Sequence, residues 1–159
     1  MELSRLDLFA YGTLKRGQRN HERFCQSVKQ TQAATLRGHL YNLPLGFPAL
    51  VVPHEDVIAT GTTDYLTDAE KQHCTPPGPA TSLPGWDTVH GELLSFDDPR
   101  ERLPALDGLE GFYPGAESFY SRVLVPATLT ENGASVLAWA YTVESGSGVY
   151  LPDARWPPP

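Results

Sequence analysis

Glu110 places a carboxyl group at the C-terminal end of a predicted helix, where lysine or arginine would be favoured. The pattern before it predicts a helix that stops at Gly111, so Glu110 would lie at the negative end of the helix dipole, which disfavours a carboxylate by about 0.3–1 kcal/mol. Asp107 would add like-charge repulsion, and the flanking leucines indicate partial burial. Because all three effects raise a carboxyl pKa, Glu110 could accept and donate a proton near neutral pH. Equally open is that Glu110 is exposed or pairs with Arg122, and such surface pairs contribute little.

A second candidate feature is a glycine-containing turn near the start of the chain. Residues 6–10 form an apolar run short enough for a buried strand, and the run breaks at Tyr11-Gly12-Thr13-Leu14, here called the loop 11–14. Glycine permits a positive φ and the close approach of a ligand, and successive N–H groups in such a turn form a concavity suited to an anion. The loop 11–14 is therefore interpreted as a carboxylate-binding loop, with a plain strand-ending turn as the open alternative. A basic patch, either a solvated face or a funnel for an anionic substrate, follows at Arg16, Arg19 and Arg23.

The composition restricts the classes of partner. The chain has 159 residues, enough for one domain with a real core, and its formal net charge of -7 argues against nonspecific binding to nucleic acid or to an anionic membrane. No segment approaches the roughly 18 apolar residues of a membrane span, and the N-terminus lacks the apolar core of a signal peptide. Two cysteines are too few for a disulfide scaffold, and Cys25 is expected in the core. Cytoplasmic residence is the simplest expectation.

Many short elements are expected, because fifteen prolines disfavour long helices. Apolar runs and alternation predict strands at 6–10, 34–40, 49–52, 57–63, 89–96, 120–125 and 136–143. Capping signals predict one helix from Asn20 to about Gln30 and another from Asp98 to Glu110, which Pro104 should shorten or break.

Two stretches fit this pattern less well. Residues 65–88 are rich in proline after a possible helical turn, and a loop of that length is usually a lid, a binding loop or disordered, so a partly ordered lid is favoured. Residues 146–159 end in Trp156 and three prolines, which cannot continue a helix or a sheet. They are expected to form a peripheral tail, which places the domain at residues 1–145.

A series of motifs runs through the chain in a specific order and spacing. They are Phe9-Ala10-Tyr11-Gly12-Thr13-Leu14-Lys15-Arg16-Gly17, Asn20-His21, Phe47-Pro48-Ala49, Val89-His90-Gly91-Glu92-Leu93, Leu106-Asp107-Gly108-Leu109-Glu110-Gly111, Tyr120-Ser121-Arg122 and Trp139-Ala140-Tyr141. Together they resemble the gamma-glutamylcyclotransferase-like (AIG2-like) family over residues 6–143.

The resemblance implies a fold, a reaction and a site. The fold is α+β, a single domain with a small, partly closed β-barrel and a few short helices. The reaction releases 5-oxoproline from a small-molecule gamma-glutamyl substrate, without cofactor or metal. The site lies between the loop 11–14 and a glutamate, with Glu110 as the catalytic residue and with Tyr11, Gly12, Thr13, Leu14 and Tyr120 as the substrate-binding residues.

The mechanism implied is an intramolecular aminolysis. The α-amine of the substrate attacks its own γ-carbonyl, so the enzyme supplies no nucleophile and must instead fold the substrate. The N–H groups of the loop 11–14 would fix the α-carboxylate or polarise the amide oxygen. Glu110 would take a proton from the α-ammonium and deliver one to the departing amine.

Two other functions and several substrates remain open at this point. The same pocket could belong to a non-catalytic module that binds a carboxylated metabolite, or Glu110 could serve an acid–base isomerase or lyase. The leaving group could be a free amino acid, glutathione, a polyamine, an ε-lysine amide or an antibiotic precursor. The long segment 65–88 could reshape the leaving-group side of the pocket, and the oligomeric state is not indicated.

Overall fold

The computed structural model describes residues 5–18, 20–76 and 85–158. Its strands are β1 Leu6–Ala10, β2 Gln30–Asn42, β3 Pro48–Val51, β4 Ala59–Thr60, β5 Asp87–Phe96, β6 Ser121–Leu129, β7 Ser135–Thr142 and β8 Val149–Tyr150. Its helices are α1 His21–Phe24, α2 Tyr65–Cys74 and α3 Pro99–Glu110, with a 3-10 turn at His54–Asp56. Within these described residues, no helix combines the length and the apolar character needed to cross a membrane.

Five strands close into a small barrel. The order around the ring is β2, β5, β1, β7 and β6, and β6 returns to β2 by pairing Leu129 with Ala34 and Thr128 with Thr35. β1 runs parallel to β7, while the other pairings of the ring are antiparallel. β2 also pairs with β3 and β8, and β4 pairs with β6. The expectation of a single α+β domain with a small barrel is confirmed.

β1 lies at the centre of the fold and is covered on both faces. All five of its residues are buried. Phe9 packs into the apolar cluster of the barrel strands, whereas Leu8 packs with Leu103 and Leu106 of α3. Because neighbouring residues of a strand point to opposite faces, a strand buried on both sides needs a continuous apolar run. This is the physical reason why residues 6–10 could be recognised as a buried strand.

α3 ends where the sequence predicts and is more regular than predicted. Gly111 has a φ of 71°, and its N–H and the one that follows return to the carbonyls of Gly108 and Asp107. The helix passes through Pro104 without the expected break. The missing N–H falls in the first half of the helix, and the fully buried Leu103 and Leu106 hold the turn against the barrel.

Two elements are shorter than predicted. α1 covers four residues instead of about ten, because the backbone leaves the helix at Cys25 and the N–H of Lys29 then donates to the carbonyl of Ser95. β4 covers two residues of the predicted strand 57–63 and ends before Gly61. A Cβ atom on Gly61 would lie 2.6 Å from Cζ of Arg122, so this glycine is required by a buried side chain.

The described part of the segment 65–88 belongs to the core and is not a lid. α2 buries Asp68, Ala69 and Gln72. The side-chain amide of Gln72 accepts from the N–H of Asp7 and donates to its carbonyl, which ties α2 to β1. Residues 77–84, which also belong to the predicted lid, lie outside the described residues.

The expectation of a peripheral tail is wrong. β8 pairs with the end of β2, and the N–H of Leu151 donates to the carbonyl of Leu40. Leu151, Ala154 and Trp156 are buried in the same apolar cluster as the barrel strands. The prolines stop regular structure, as expected, but apolar side chains between them still bury surface, and that burial places the segment on the barrel.

Candidate active site

Glu110 and the loop 11–14 line one cavity of about 40 Å³, at the exit of β1. Its walls are Phe9, Ala10, Tyr11, Gly12, Thr13, Leu14, Phe47, Pro48, Glu110, Tyr120 and Tyr141. The structure therefore brings together all six residues that the sequence analysis named for the site. Their chemical roles stay predictions.

Burial raises the pKa of Glu110 to about 7. The direction agrees with the sequence-based expectation, but the cause is removal from water and not repulsion by Asp107. Asp107 accepts hydrogen bonds from Nε and Nη2 of Arg122 at 2.8 and 3.1 Å, so its charge is already matched. The alternative pairing of Glu110 with Arg122 is therefore wrong. A carboxyl with a pKa near 7 can exchange protons in both directions at neutral pH.

Three carbonyls of the loop 11–14, those of residues 12, 13 and 14, have hydrogen-bond partners. The carbonyls of Gly12 and Thr13 accept from the N–H groups of Lys15 and Asn20, and that of Leu14 lies 2.8 Å from Nδ1 of His21. By contrast, the N–H groups of residues 12, 13 and 14 donate to none of the described residues. Buried backbone donors are nearly always paired with protein, water or ligand. These three N–H groups, on a loop that lines the cavity, are therefore free to bind a ligand.

Gly12 is needed for close packing and not for its backbone angles. Its φ is not positive, so the loop 11–14 does not use the left-handed conformation that glycine permits. A Cβ atom at this position would lie 2.3 Å from Cγ of Pro48. The first residue of β3 thus packs directly against the loop 11–14, and Pro48 is part of the cavity wall.

Three tyrosines of the cavity wall are held as neutral phenols. Burial is the largest cause that raises the pKa values of Tyr11, Tyr120 and Tyr141, and the charge of Glu110 adds to it. The hydroxyl of Tyr120 donates to the carbonyl of Pro48 at 2.7 Å, and that of Tyr11 donates to the carbonyl of Tyr141. Because these protons are engaged with protein acceptors, Glu110 is the group of the wall best suited to exchange protons.

A buried ionic cluster lies behind the cavity. Arg122 is fully buried and binds Asp107 of α3 and, at 3.0 Å from Nη1, Asp68 of α2. The hydroxyl of Tyr141 also donates to Asp107, at 2.6 Å. One guanidinium therefore joins β6 to both long helices and, through Asp107, to a tyrosine of the cavity wall.

The buried C-terminal segment also supports the loop. Nζ of Lys15 donates to the carbonyl of Trp156, and the indole Nε1 of Trp156 donates to Oδ1 of Asn42 at 3.0 Å. In the predicted basic patch, Arg16 is bound to Glu92 at 3.2 Å. Arg19 lies outside the described residues, as does the side chain of Arg23.

A larger groove opens from the cavity. It has a volume of about 490 Å³ and shares Thr13, Phe47, Glu110 and Tyr120 with the cavity. This whole groove is called the outer groove. Its remaining walls are Asn20, Leu43, Pro44, Leu45, Leu109 and Phe119. Glu110 therefore lies at the border between a small cavity with both polar and apolar walls and a wide apolar groove.

Three parts of the site were not predicted from the sequence: Pro48, Tyr141 and the ionic cluster around Arg122. Pro48, Tyr141, Arg122 and Asp107 all belong to the motifs of the family resemblance. The pairing within the cluster had no local signal, since Asp107 lies fifteen and Asp68 fifty-four residues from Arg122 in sequence. Among the described residues, no group of three His, Cys, Asp or Glu side chains is placed to hold a metal ion.

Comparisons with known proteins give a family and a fold. The family model described as gamma-glutamyl cyclotransferase, AIG2-like matches residues 8–73 and 71–157, which includes most of the C-terminal segment. No curated protein sequence matches the chain. The three solved structures described next are 17–21% identical to this chain, so their similarity shows the fold alone.

Three solved structures illustrate that likeness. The chain superposes on YkqA from Bacillus subtilis with a TM-score of 0.58 and 19% identity, over 96% of its own length but only 39% of the length of YkqA. An AIG2-like protein from Mus musculus gives a TM-score of 0.51 and 21% identity, over 92% of this chain and 81% of that one. A protein from Arabidopsis thaliana gives a TM-score of 0.53 and 17% identity, over 90% and 71%.

Proposed function

The chain belongs to the gamma-glutamyl cyclotransferase, AIG2-like family, and on that premise we propose that it is an enzyme that cyclises the gamma-glutamyl group of an amide to 5-oxoproline and releases the amine. Glu110 is the acid–base catalyst of this proposal. Tyr11, Gly12, Thr13, Leu14 and Tyr120 form the site that holds the substrate.

The observation that carries the proposal is the position of Glu110. It lines the same cavity as the three available N–H groups of the loop 11–14, and its pKa is raised to about 7. A base for this reaction must accept a proton from an ammonium and then return one to a departing amine. A carboxyl with an ordinary pKa near 4 would be a weak base for the first step and would rarely hold the proton for the second.

The reaction balances without any group beyond substrate and Glu110. Glu110 removes a proton from the α-ammonium, and the lone pair of the freed amine attacks the γ-carbonyl carbon. The new C–N bond closes the five-membered lactam, the former amide C–N bond breaks, and Glu110 gives its proton to the leaving nitrogen. Glu110 then takes the second proton of the ring nitrogen and passes it to the released amine, which departs as an ammonium. When the site holds the amine against the carbonyl, the entropic part of the activation barrier falls, by up to several kcal/mol.

The loop 11–14 supplies the anion-binding part of the site. Its N–H groups are fixed by a backbone whose carbonyls are already hydrogen-bonded, so they need little rearrangement when charge develops. They suit either the α-carboxylate of the substrate or the oxygen of the tetrahedral intermediate. The neutral tyrosines add apolar walls that limit the access of water to the reacting atoms.

The test is the variant Glu110→Gln, assayed for 5-oxoproline with gamma-glutamylmethylamide and longer gamma-glutamyl alkylamides. The variant keeps the shape of the side chain and removes the base, so we expect turnover to fall by about 10²–10⁴-fold while ligand binding is retained. Glu101→Gln is the matched control, because Glu101 is an exposed residue of the same helix, outside the cavity.

Two results would contradict the proposal. Near-normal turnover by Glu110→Gln would reject Glu110 as the catalyst. Binding of gamma-glutamyl amides by the wild type without any 5-oxoproline would favour a non-catalytic binding module instead.

A further inference from the structure

We infer that the outer groove receives an apolar amine, so that the preferred substrates are gamma-glutamyl amides of alkyl or arylalkyl amines. This inference rests on the proposed function and concerns only the half of the substrate that departs. It argues against most of the leaving groups that the sequence leaves open, because free amino acids, glutathione, polyamines and an ε-lysine amide all carry a further charge.

The cavity and the groove are continuous with each other. They share Glu110, which would protonate the leaving nitrogen, and they also share Tyr120 and Phe47. A nitrogen within reach of Glu110 thus lies at the border, with the glutamyl part on one side. The cavity of about 40 Å³ has no room for a leaving group beside the glutamyl part. The leaving group therefore extends into the 490 Å³ of the outer groove.

The walls of the groove are mainly apolar. Leu43, Pro44, Leu45, Leu109 and Phe119 supply most of the lining, and Glu110 is the charged residue among the described members. Leu45 is 83% exposed and Phe119 is 58% exposed, so apolar surface meets water there. An alkyl or aromatic group in the groove would remove this surface from water, which is favourable.

Among the described residues of the groove, a remote charge would find no ion-pair partner other than Glu110. A carboxylate or ammonium at the far end of the leaving group would be partly desolvated by these walls, and this desolvation is unfavourable. Glu110 cannot form an ion pair with a remote ammonium while it exchanges a proton with the reacting nitrogen. The ring of Phe119 is held edge-on to that of Tyr120, with centroids 5.0 Å apart, which fixes an aromatic wall instead.

The experiment compares kcat/KM for 5-oxoproline release from four gamma-glutamyl amides: the methylamide, n-butylamide, n-hexylamide and 4-aminobutylamide. We expect kcat/KM to rise about fourfold per methylene until the groove is filled. The 4-aminobutylamide matches the n-butylamide except for its terminal ammonium, and we expect it to be roughly tenfold poorer.

Variants place the effect in the groove. Leu45→Ser and Phe119→Ser should each lower the ratio of the n-butylamide to the methylamide by about threefold or more. Ile58→Ser is the matched control, because Ile58 is also an exposed apolar residue but lines neither the cavity nor the groove, and it should leave this ratio unchanged.

The two proposals fail in different ways. Turnover of all amides without dependence on chain length, or preference for the ammonium-bearing amide, would overturn the inference and leave the proposed function intact. Absence of 5-oxoproline from every amide, including the methylamide that barely enters the groove, would overturn both.

Discussion

Asp107 and Glu110 lie one helical turn apart on α3 and meet opposite environments. Asp107 is bound by two nitrogens of the buried Arg122, at 2.8 and 3.1 Å, whereas Glu110 lines the cavity and has a pKa raised to about 7. The ion pair fixes the rotation of the last turn of the helix. The same turn that anchors one carboxylate therefore presents the other to the site, still able to bind a proton.

The raised pKa of Glu110 should make the stability of the protein fall as the pH rises. Its pKa is about 7 in the folded state and near 4.5 when unfolded, so the folded state binds more protons between these values. Stability must decline across that window and level off above pH 7. The loss is on the order of 2 kcal/mol, allowing for partial contact with solvent.

The measurement is urea unfolding of the wild type and Glu110→Gln at pH 5 and pH 8.5. We expect the stability of the variant relative to the wild type to increase between the two pH values, since glutamine stays neutral. Glu101→Gln is the control, because Glu101 is an exposed residue of the same helix that does not line the cavity, and we expect a much smaller change with pH for this variant. A change for Glu110→Gln no larger than that for Glu101→Gln would contradict the raised pKa.

Removal of Arg122 should strongly destabilise the protein. Arg122→Met would leave the carboxylates of Asp107 and Asp68 buried without their partner, and breaking a buried pair in this way costs about 3–5 kcal/mol. Lys29→Met is the control, because Lys29 is an exposed cation with a loose contact of 3.9 Å to Asp97, and it should change stability by less than about 0.5 kcal/mol.

Denaturant midpoints of the two variants test this expectation. If Arg122→Met prevents folding, Arg122→Lys supplies a second measurement, since it keeps the charge but loses the planar fork that binds both oxygens of Asp107. A loss below about 1 kcal/mol for both variants would show that the cluster does not anchor α2 and α3 to β6.

Gly12→Ala should damage the loop through one added methyl group. That Cβ atom would lie 2.3 Å from Cγ of Pro48, so either the loop or the start of β3 must shift, at a cost of about 1–3 kcal/mol. 5-Oxoproline release should fall along with stability, because both segments line the cavity. Gly108→Ala is the control: the new methyl group meets nothing within 4 Å and should stabilise α3 by about 0.5–1 kcal/mol. Equal effects of the two substitutions would argue against close packing as the reason for Gly12.

The parts of the site that could be predicted from sequence are those with a local signal. Glu110 conflicts with the dipole of its own helix, and the loop 11–14 interrupts an apolar run, so both features are visible within a few residues. The left-handed stop at Gly111 is local in the same sense. The closed ring depends on only two residue pairs between β2 and β6, and only the family resemblance indicated a barrel.

Long-range packing explains what the sequence could not show. The sequence shows that Asp107 and Glu110 are three residues apart, which suggested repulsion between their charges. It does not show that Asp107 pairs with Arg122, fifteen residues away. α2 resembled the start of a loop, since its buried residues include Asp68 and Gln72, polar side chains that become acceptable only through partners on other elements. In both cases the environment that decides the outcome is assembled from distant segments.

Trp156 gives the sharpest contrast between the tail predicted from sequence and the segment found in the structure. Its side chain is buried against the barrel cluster, and its indole donates to Oδ1 of Asn42 at 3.0 Å. Trp156→Ala would leave a large cavity and should reduce the free energy of unfolding by about 3–5 kcal/mol. Arg155→Ala, at the exposed neighbouring position, should change it by less than about 0.5 kcal/mol. Because the carbonyl of Trp156 also accepts from Lys15, a displaced segment would release the loop 11–14, so 5-oxoproline release should fall in Trp156→Ala and not in Arg155→Ala. Similar stabilities for the two variants in thermal and urea unfolding would mean that the segment is a peripheral tail after all.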